Sequence, residues 1–310
     1  MRKAAVRHQD FFTEILRKCM LCPRKCQVNR LEGEAGFCGL DRRMRVSHIL
    51  AHHGEEPPIS GGNGAGTIFF SSCNLGCIFC QNHQISHSRT GPVMPISSLA
   101  DHMLALQAKG CHNIEAVTPT PQLPAFLKAL GLAREKGLHI PIVYNCGGYE
   151  NPDILRHLNG TVDLYLPDFK YGRAEDAELF SGVPDYPLYA VAAVSEMVRQ
   201  CGDDLVMEGD IAVKGIIVRH LVLPGRTENS FEVLRMIKKI STAVPLSIMS
   251  QYTPTDPVKN HPSLSRRIKK EEYEAVVNYA LDLGFEMIFT QEIDEKALTP
   301  DFSKKEPFRF

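Results

Sequence analysis

Cys73-Asn-Leu-Gly-Cys77-Ile-Phe-Cys80 places three thiols within eight residues, spaced four and then three apart. An iron–sulfur cube has four irons, and each normally takes one cysteine thiolate. Three close thiolates can hold three corners and leave the fourth iron open, and an open metal position is where chemistry happens. Structural zinc wants four ligands, commonly as two Cys-x2-Cys pairs. Reduced core cysteines would not cluster this tightly, nor be followed by the polar Gln81-Asn82-His83. The loop follows Thr67-Ile-Phe-Phe70, an apolar run that reads as a strand.

A second group of thiols precedes it. Cys19-Met-Leu-Cys22-Pro-Arg-Lys-Cys26 and Gly36-Phe-Cys38-Gly39 have the Gly and Pro punctuation of a small metal knuckle. Four sulfurs suit zinc or an iron–sulfur cluster, and both stay open here. Four reduced thiols, or a relay of exchanging thiols, are the other readings. Cys111, Cys146 and Cys201 stand alone and read as packing residues.

The chain has 310 residues, enough for one large core and a small appendage. A formal charge of −1 points away from a nucleic-acid backbone as partner. No run approaches the ~18 apolar residues of a membrane span, and the Phe11–Ile15 segment is too short for a signal peptide. The expected home is the cytoplasm, where thiols stay reduced. Seven of the ten cysteines fall in the first 80 residues, which argues for metal rather than disulfides.

Residues 1–18 read as a short amphipathic helix, with Phe11, Phe12, Ile15 and Leu16 on one side. Arg45–Leu50 reads as a strand. His52-His53-Gly-Glu55-Glu56-Pro-Pro could line a site, but its polar, Pro-bounded character favours a solvated loop. Gly61–Gly66 runs into a strand rather than a helix, so it reads as a turn and not as a phosphate loop. From residue 67 onward strand and helix patterns alternate. Strands are expected at 67–71, 113–117, 140–144, 162–166, 216–223, 246–249 and 287–289. Helices are expected near 98–109, 123–136, 153–158, 187–200, 228–240 and 270–283. Asn229 and Glu232 resemble a capping box. Leu205–Val213 reads as an inserted hairpin around Gly209-Asp210. Repeated βα units imply a parallel sheet with right-handed crossovers.

Parallel α/β sheets carry their chemistry at the C-terminal strand ends. Those ends hold the cysteine loop, Thr118-Pro-Thr-Pro, Asn145-Cys-Gly-Gly-Tyr149, Asp168-Phe-Lys170-Tyr171, Arg219-His220, Gln251-Tyr252 and Gln291-Glu292. Side chains alternate along a strand, so only one of Arg219 and His220 points inward. Arg219 is the expected inward residue, either as a partner for an anion or in a structural ion pair.

Cys73-x3-Cys77-x2-Cys80 with Phe79 before the last cysteine resembles the signature of the radical S-adenosylmethionine (SAM) superfamily. The resemblance covers roughly residues 67–292. It implies a partial (β/α)6-type parallel barrel over residues 61–310, with residues 1–60 as a cysteine-rich metal-binding subdomain. It also implies a [4Fe–4S] cluster on Cys73, Cys77 and Cys80 whose open iron chelates SAM. Reductive cleavage of SAM by that cluster would make a 5′-deoxyadenosyl radical that abstracts hydrogen from a substrate. The superfamily holds the adenine by backbone next to the last cysteine, here Phe79. Thr118, Asn145, Asp168, Arg219 and Gln251 are the expected further cofactor contacts. An electron donor such as flavodoxin or ferredoxin is implied as partner.

Val143–Tyr149, Leu166–Tyr171, Arg219–Gly225, Met249–Tyr252 and the quartet Cys19, Cys22, Cys26 and Cys38 are similar to the pyruvate formate-lyase activating enzyme-like group. True activators make a glycyl radical on a protein partner and carry a Gly-Gly-Glu-type motif after the second strand. Here that position reads Glu115-Ala-Val-Thr-Pro-Thr-Pro121, a departure that puts glycyl-radical activation in question. Modification of a small molecule or peptide, and a non-catalytic metal-binding scaffold, are the alternatives.

Overall fold

In this computed structural model, residues 11–88, 91–293 and 299–308 are described. Short runs rich in branched and aromatic residues, each closed by polar or Gly/Pro residues, form the strands. β1 (Val46–His52) lies antiparallel to β2 (Ala65–Phe70). From β2 the sheet runs parallel through β3 (Ile114–Val117), β4 (Ile142–Cys146) and β5 (Leu164–Pro167) to β7 (Ile211–Ile216). β6 (Val206–Glu208) forms the expected hairpin on β7. The chain continues past Ile217 into β8 (Val218–Leu221), which leads to β9 (Leu246–Met249) and β10 (Ile288–Thr290), again parallel. A bridge from Asp168 to Arg219 carries the sheet across from β5 to β8. The result is an α/β partial barrel, as the resemblance implies and the alternating pattern agrees with.

Helices α1 (Ile96–Ala108), α2 (Leu123–Glu135), α3 (Ala174–Ser181), α4 (Tyr186–Cys201), α5 (Thr227–Lys238) and α6 (Lys270–Asp282) belong to the connections. Strand alternation splits the core in two. Ile68, Phe70, Phe126, Tyr144, Tyr165 and Val233 belong to the larger cluster, shared by strands and helices. Ala65, Val143, Leu164, Leu166 and Ile217 turn the other way and enclose Ile59. Ile59 comes from the short helix Pro57–Ser60 in the β1–β2 connection, so this connection plugs the N-terminal end of the barrel. Burying one such side chain stabilises by about 1.5–3 kcal/mol.

The structure differs from the sequence reading in several places. β1 and the plug, counted with residues 1–60, pair with β2 and fill the barrel. Helix α3 was not anticipated. Asn229 does not cap α5, because Arg226 holds that position. Its buried amide instead accepts from Gly172 N and donates to Lys170 O, fixing the loop after β5. Of the helix expected over 1–18, residues 1–10 lie outside the described residues, and 11–14 are helical.

Candidate cluster and cofactor site

The C-terminal strand ends open into a cavity of about 710 Å³. Cys73, Cys77, Cys80, Thr118, Asn145, Asp168, Arg219 and Gln251 all line it. Phe79 lines it too, but its ring is buried against Tyr171 and Phe180, at centroid distances of 6.2 and 6.0 Å. That aromatic layer anchors the cysteine loop from below, and Ile78 N donates to Phe180 O at 2.9 Å. Ser72, just before Cys73, takes a left-handed backbone with φ +76°, which turns the chain sharply out of β2.

The donors around the thiols suit a bound anionic centre. Leu75 N donates to Cys73 Sγ at 3.3 Å, and Ser86 Oγ donates to Cys80 Sγ at 3.3 Å. Lys170 brings an ammonium close to Cys77 and Cys80 and pairs with Asp168 at 2.5 Å. Burial opposes its charge, but Asp168 and the thiols outweigh that and raise its pKa. Burial, then the neighbouring thiols, pushes the Cys73 thiol up to about 12, so loading a metal here releases protons. The fourth cysteine along the cavity wall, Cys146, is buried at the end of β4 within the larger core cluster. Among the described residues, no three or more His, Cys, Asp or Glu donors converge on a single ion position. A cube asks for something different, one thiolate on each of three separate irons, and the three thiols around one cavity fit that donor set.

Thr118 occupies left-handed space at φ +57°, an outlier for a branched residue, and its N–H donates to Asn145 O at 2.8 Å. Asn145 Nδ2 in turn donates to Glu115 at 2.7 Å. Gln251 presents its backbone carbonyl to Gln81 Nε2 at 2.8 Å, which ties the end of β9 to the residue after Cys80. These are strand-end groups brought together around one mouth, as the sequence reading expects.

Arg219 points into the barrel and His220 away from it. His220 Nδ1 and Nε2 are engaged with Phe169 O and Ser230 Oγ at 2.7 and 2.8 Å, and burial lowers its pKa to about 4. The Arg219 guanidinium is gripped by Glu55 and Glu56, with Nε 2.9 Å from Glu56 Oε1. The ion-pair reading of Arg219 therefore describes its surroundings. Burial pushes the Glu56 carboxyl up, but Arg219 outweighs it and holds the pKa below the ordinary value. The His52–Glu56 stretch, expected to be a solvated loop, instead lines the cavity toward the plug. The reason is tertiary, because a buried arginine from β8 needs carboxylate partners.

Sequence reasoning assigned no role to Glu115 or Lys170. Glu115 is fully buried in the barrel and accepts from Thr67 Oγ1 at 2.7 Å. Burial and the Glu55 charge push its pKa up to about 8. A carboxylate amid Ile114-Glu-Ala-Val was the signal that could have found it.

Glu150 is a second buried carboxyl, on the far side of β4. It accepts from Thr120 Oγ1 at 2.8 Å and Tyr144 OH at 3.3 Å, yet burial raises its pKa to about 8. A carboxyl raised on folding holds its proton more tightly in the folded state. Its stabilising proton is present below the ordinary carboxylate range and lost as pH rises through about 8. A tenfold tighter hold on a proton is worth about 1.4 kcal/mol. Glu150→Gln is therefore expected to flatten the fall in stability between pH 5.5 and 8.5 by a few kcal/mol, read from urea midpoints. Parallel curves for the two proteins would contradict this.

A parallel α/β barrel with a three-thiol loop at its mouth defines a metal- and cofactor-using enzyme class. The sequence profile of the radical SAM superfamily matches residues 67–237, and the chain belongs to that superfamily. A relative in Methanocaldococcus jannaschii, the uncharacterized protein MJ0674, is 30% identical over 289 residues, covering 89% of this chain and 78% of that protein. Solved structures with some likeness include methylornithine synthase PylB at 13% identity and a TM-score of 0.49, covering 72% of this chain and 63% of that one. Streptococcus suis SuiB follows at 14% and 0.48, covering 72% and 47%. The enzyme anSMEcpe with bound AdoMet stands at 16% and 0.48, covering 71% and 61%. The chain thus spans less than two thirds of each of these solved chains. The superfamily uses a [4Fe–4S] cluster with SAM. No helix among the described residues is long and apolar enough to cross a membrane.

Proposed function

We propose that Cys73, Cys77 and Cys80 hold a [4Fe–4S] cluster, and that the chain uses it to cleave SAM and abstract hydrogen from a substrate in the barrel cavity. The observation that carries this reading is the trio of cavity-lining thiols on one loop at the strand ends. When bound, the cluster supplies the electron that splits the sulfonium of SAM. The chain's own residues do the placing. The Phe79 backbone would meet the adenine. Thr118, Asn145, Asp168 and Gln251 would bind the ribose and methionyl groups. Lys170 balances thiolate charge, and Arg219, held by Glu55 and Glu56, sets the polar wall deeper in the barrel. A flavodoxin or ferredoxin in the cytoplasm would deliver the electron. The segment before β1 would form a metal-binding subdomain through Cys19, Cys22, Cys26 and Cys38, and β1, the plug and residues 61–310 the barrel.

The motif likeness to the pyruvate formate-lyase activating enzyme-like group makes a protein glycine one candidate substrate. A small molecule or peptide end is the second reading. The plugged floor and the lining by Pro300, Asp301, Lys304 and Phe308 favour it, because they leave a bounded chamber. Anaerobically reconstituted protein with SAM and dithionite is expected to release 5′-deoxyadenosine and methionine. The substrate is the compound or protein that accelerates that release. Iron-loaded protein that leaves SAM intact would sink the proposal.

A further inference from the structure

Arg24 stands between Cys22 and Cys26 in the sequence, yet its side chain reaches the other cysteine group. Its Nε donates to Asn74 O at 3.0 Å, and its Nη2 donates to Leu75 O at 2.9 Å and Ser181 O at 3.0 Å. Nη1 donates to Gly182 O at 3.3 Å. The guanidinium also lies over the Phe37 ring, 3.7 Å from its centroid. Phe37 in turn covers Gly76, where a Cβ would lie 2.9 Å from the ring. Ser72 Oγ donates to Cys38 O, which ties down the residue before Cys73. The segment from Arg24 to Cys38 therefore braces the trio's loop from behind, at Ser72, Asn74, Leu75 and Gly76.

A trans peptide is planar, so its C=O and N–H point in opposite directions. The Asn74 carbonyl and the Leu75 N–H belong to one such unit, and the Leu75 carbonyl and the Gly76 N–H to the next. Arg24 holds both oxygens on one side. On the other side Leu75 N donates to Cys73 Sγ at 3.3 Å. Burial raises the Cys73 thiol, and the Leu75 and Gly76 amides counter it. Gly76 has φ +73°, the left-handed turn that lets successive amides face one point. Such a backbone nest holds an anion. A cation on the carbonyl side polarises each amide and makes its N–H a stronger donor. Among the described residues the four hydrogen bonds of Arg24 all end on carbonyls, so no carboxylate offsets its charge through them.

We propose that Arg24 is a positioning residue for the cluster: by holding the Asn74 and Leu75 carbonyls it aims the two following amides at Cys73 Sγ and raises the reduction potential of the centre that the trio carries. This rests on the reading of Cys73, Cys77 and Cys80 as cluster ligands. Hydrogen bonds to the sulfurs and local charge set the potential of such centres. Donors and a nearby cation favour the reduced form, which carries one more negative charge.

The test is an anaerobic redox titration of the full-length reconstituted protein, following the electron paramagnetic resonance signal that Cys77→Ala lacks. Arg24→Gln removes the charge and the fork. Arg24→Lys keeps the charge, but an ammonium lacks the planar fork that spans neighbouring carbonyls. Both variants are expected to load as much iron as the wild type. Arg24→Gln is expected to make the cluster about tenfold harder to reduce, a fall of about 59 mV for one electron. Arg24→Lys should fall between the two. A wild-type potential in Arg24→Gln would overturn the inference. A merely structural arginine would cost iron occupancy or thermal stability and leave the potential of the loaded fraction unchanged.

A second readout needs no metal. In the iron-free chain the Leu75 and Gly76 amides are expected to exchange hydrogen several-fold faster in Arg24→Gln than in the wild type, and equal rates would count against the clamp. The two readouts separate the two failures. A wild type with no reducible centre at the trio sinks the ligand reading, while the exchange rates still judge Arg24. Circular dichroism checks folding, and if Arg24→Gln does not fold, Arg24→Lys carries both measurements.

Discussion

Cys77→Ala is expected to reduce SAM cleavage to background and to remove about four irons per chain relative to the wild type. Cys77 is the middle cysteine of the trio and is 5% exposed, at the root of the loop that Phe79 anchors. With alanine there, a cube would have two thiolate corners rather than three. Lys170 cannot ligate while protonated, and Cys146 is buried at the end of β4. Cys73→Ala and Cys80→Ala should behave the same way. Cys111→Ala and Cys201→Ala serve as controls, because Cys111 is buried in the core and the Cys201 thiol donates to Met197 O. Both are expected to keep turnover. Iron counts together with 5′-deoxyadenosine release make the measurement, and a Cys77→Ala protein that still cleaves SAM would refute the ligand assignment.

Gly148→Ala is expected to destabilise the fold by about 3–5 kcal/mol and to weaken SAM binding with it. Gly148 has φ +75°, and a Cβ there would collide with Asp168 O and lie 2.6 Å from Tyr186 OH. That tyrosine hydroxyl ties the loops after β4 and β5. It donates to Gly147 O and Asp168 O at 2.9 Å and accepts from Lys170 N at 2.8 Å. Displacing it moves Asp168 and Lys170 away from the thiols. Gly137→Ala isolates the backbone effect, since Gly137 has φ +104° but open space around its missing Cβ. Its cost should be only the left-handed penalty of about 1–2 kcal/mol. Equal losses from the two substitutions, read by thermal denaturation, would argue against the hydroxyl hub.

The trio and the strand–helix alternation were legible because their information is local. Spacing marks the three cysteines as one loop, and short apolar runs closed by polar, Gly or Pro residues mark the strands. Arg219 could be turned inward by alternation alone, yet its partners could not be read. Glu56 stands 163 residues away, on a connection whose composition looks like a surface loop. The same limit hid Asn229, whose spacing to Glu232 mimics a cap while its amide serves the loop after β5. Helix α3 escaped because Ala174–Ser181 is short and weakly patterned. The quartet's cysteines were visible. Its contact with the trio loop was not, because it runs through Arg24 and backbone carbonyls, which leave no periodic trace.

The helix Pro57–Ser60 stoppers one end of the barrel. Among the described residues, that cork leaves the strand-end mouth as the way into the cavity. If SAM binds at the strand ends as proposed, whatever binds deeper, near Arg219, would have to arrive before SAM and leave after the spent nucleoside. Turnover would then follow a compulsory order of entry and exit, set by architecture before any affinity is considered.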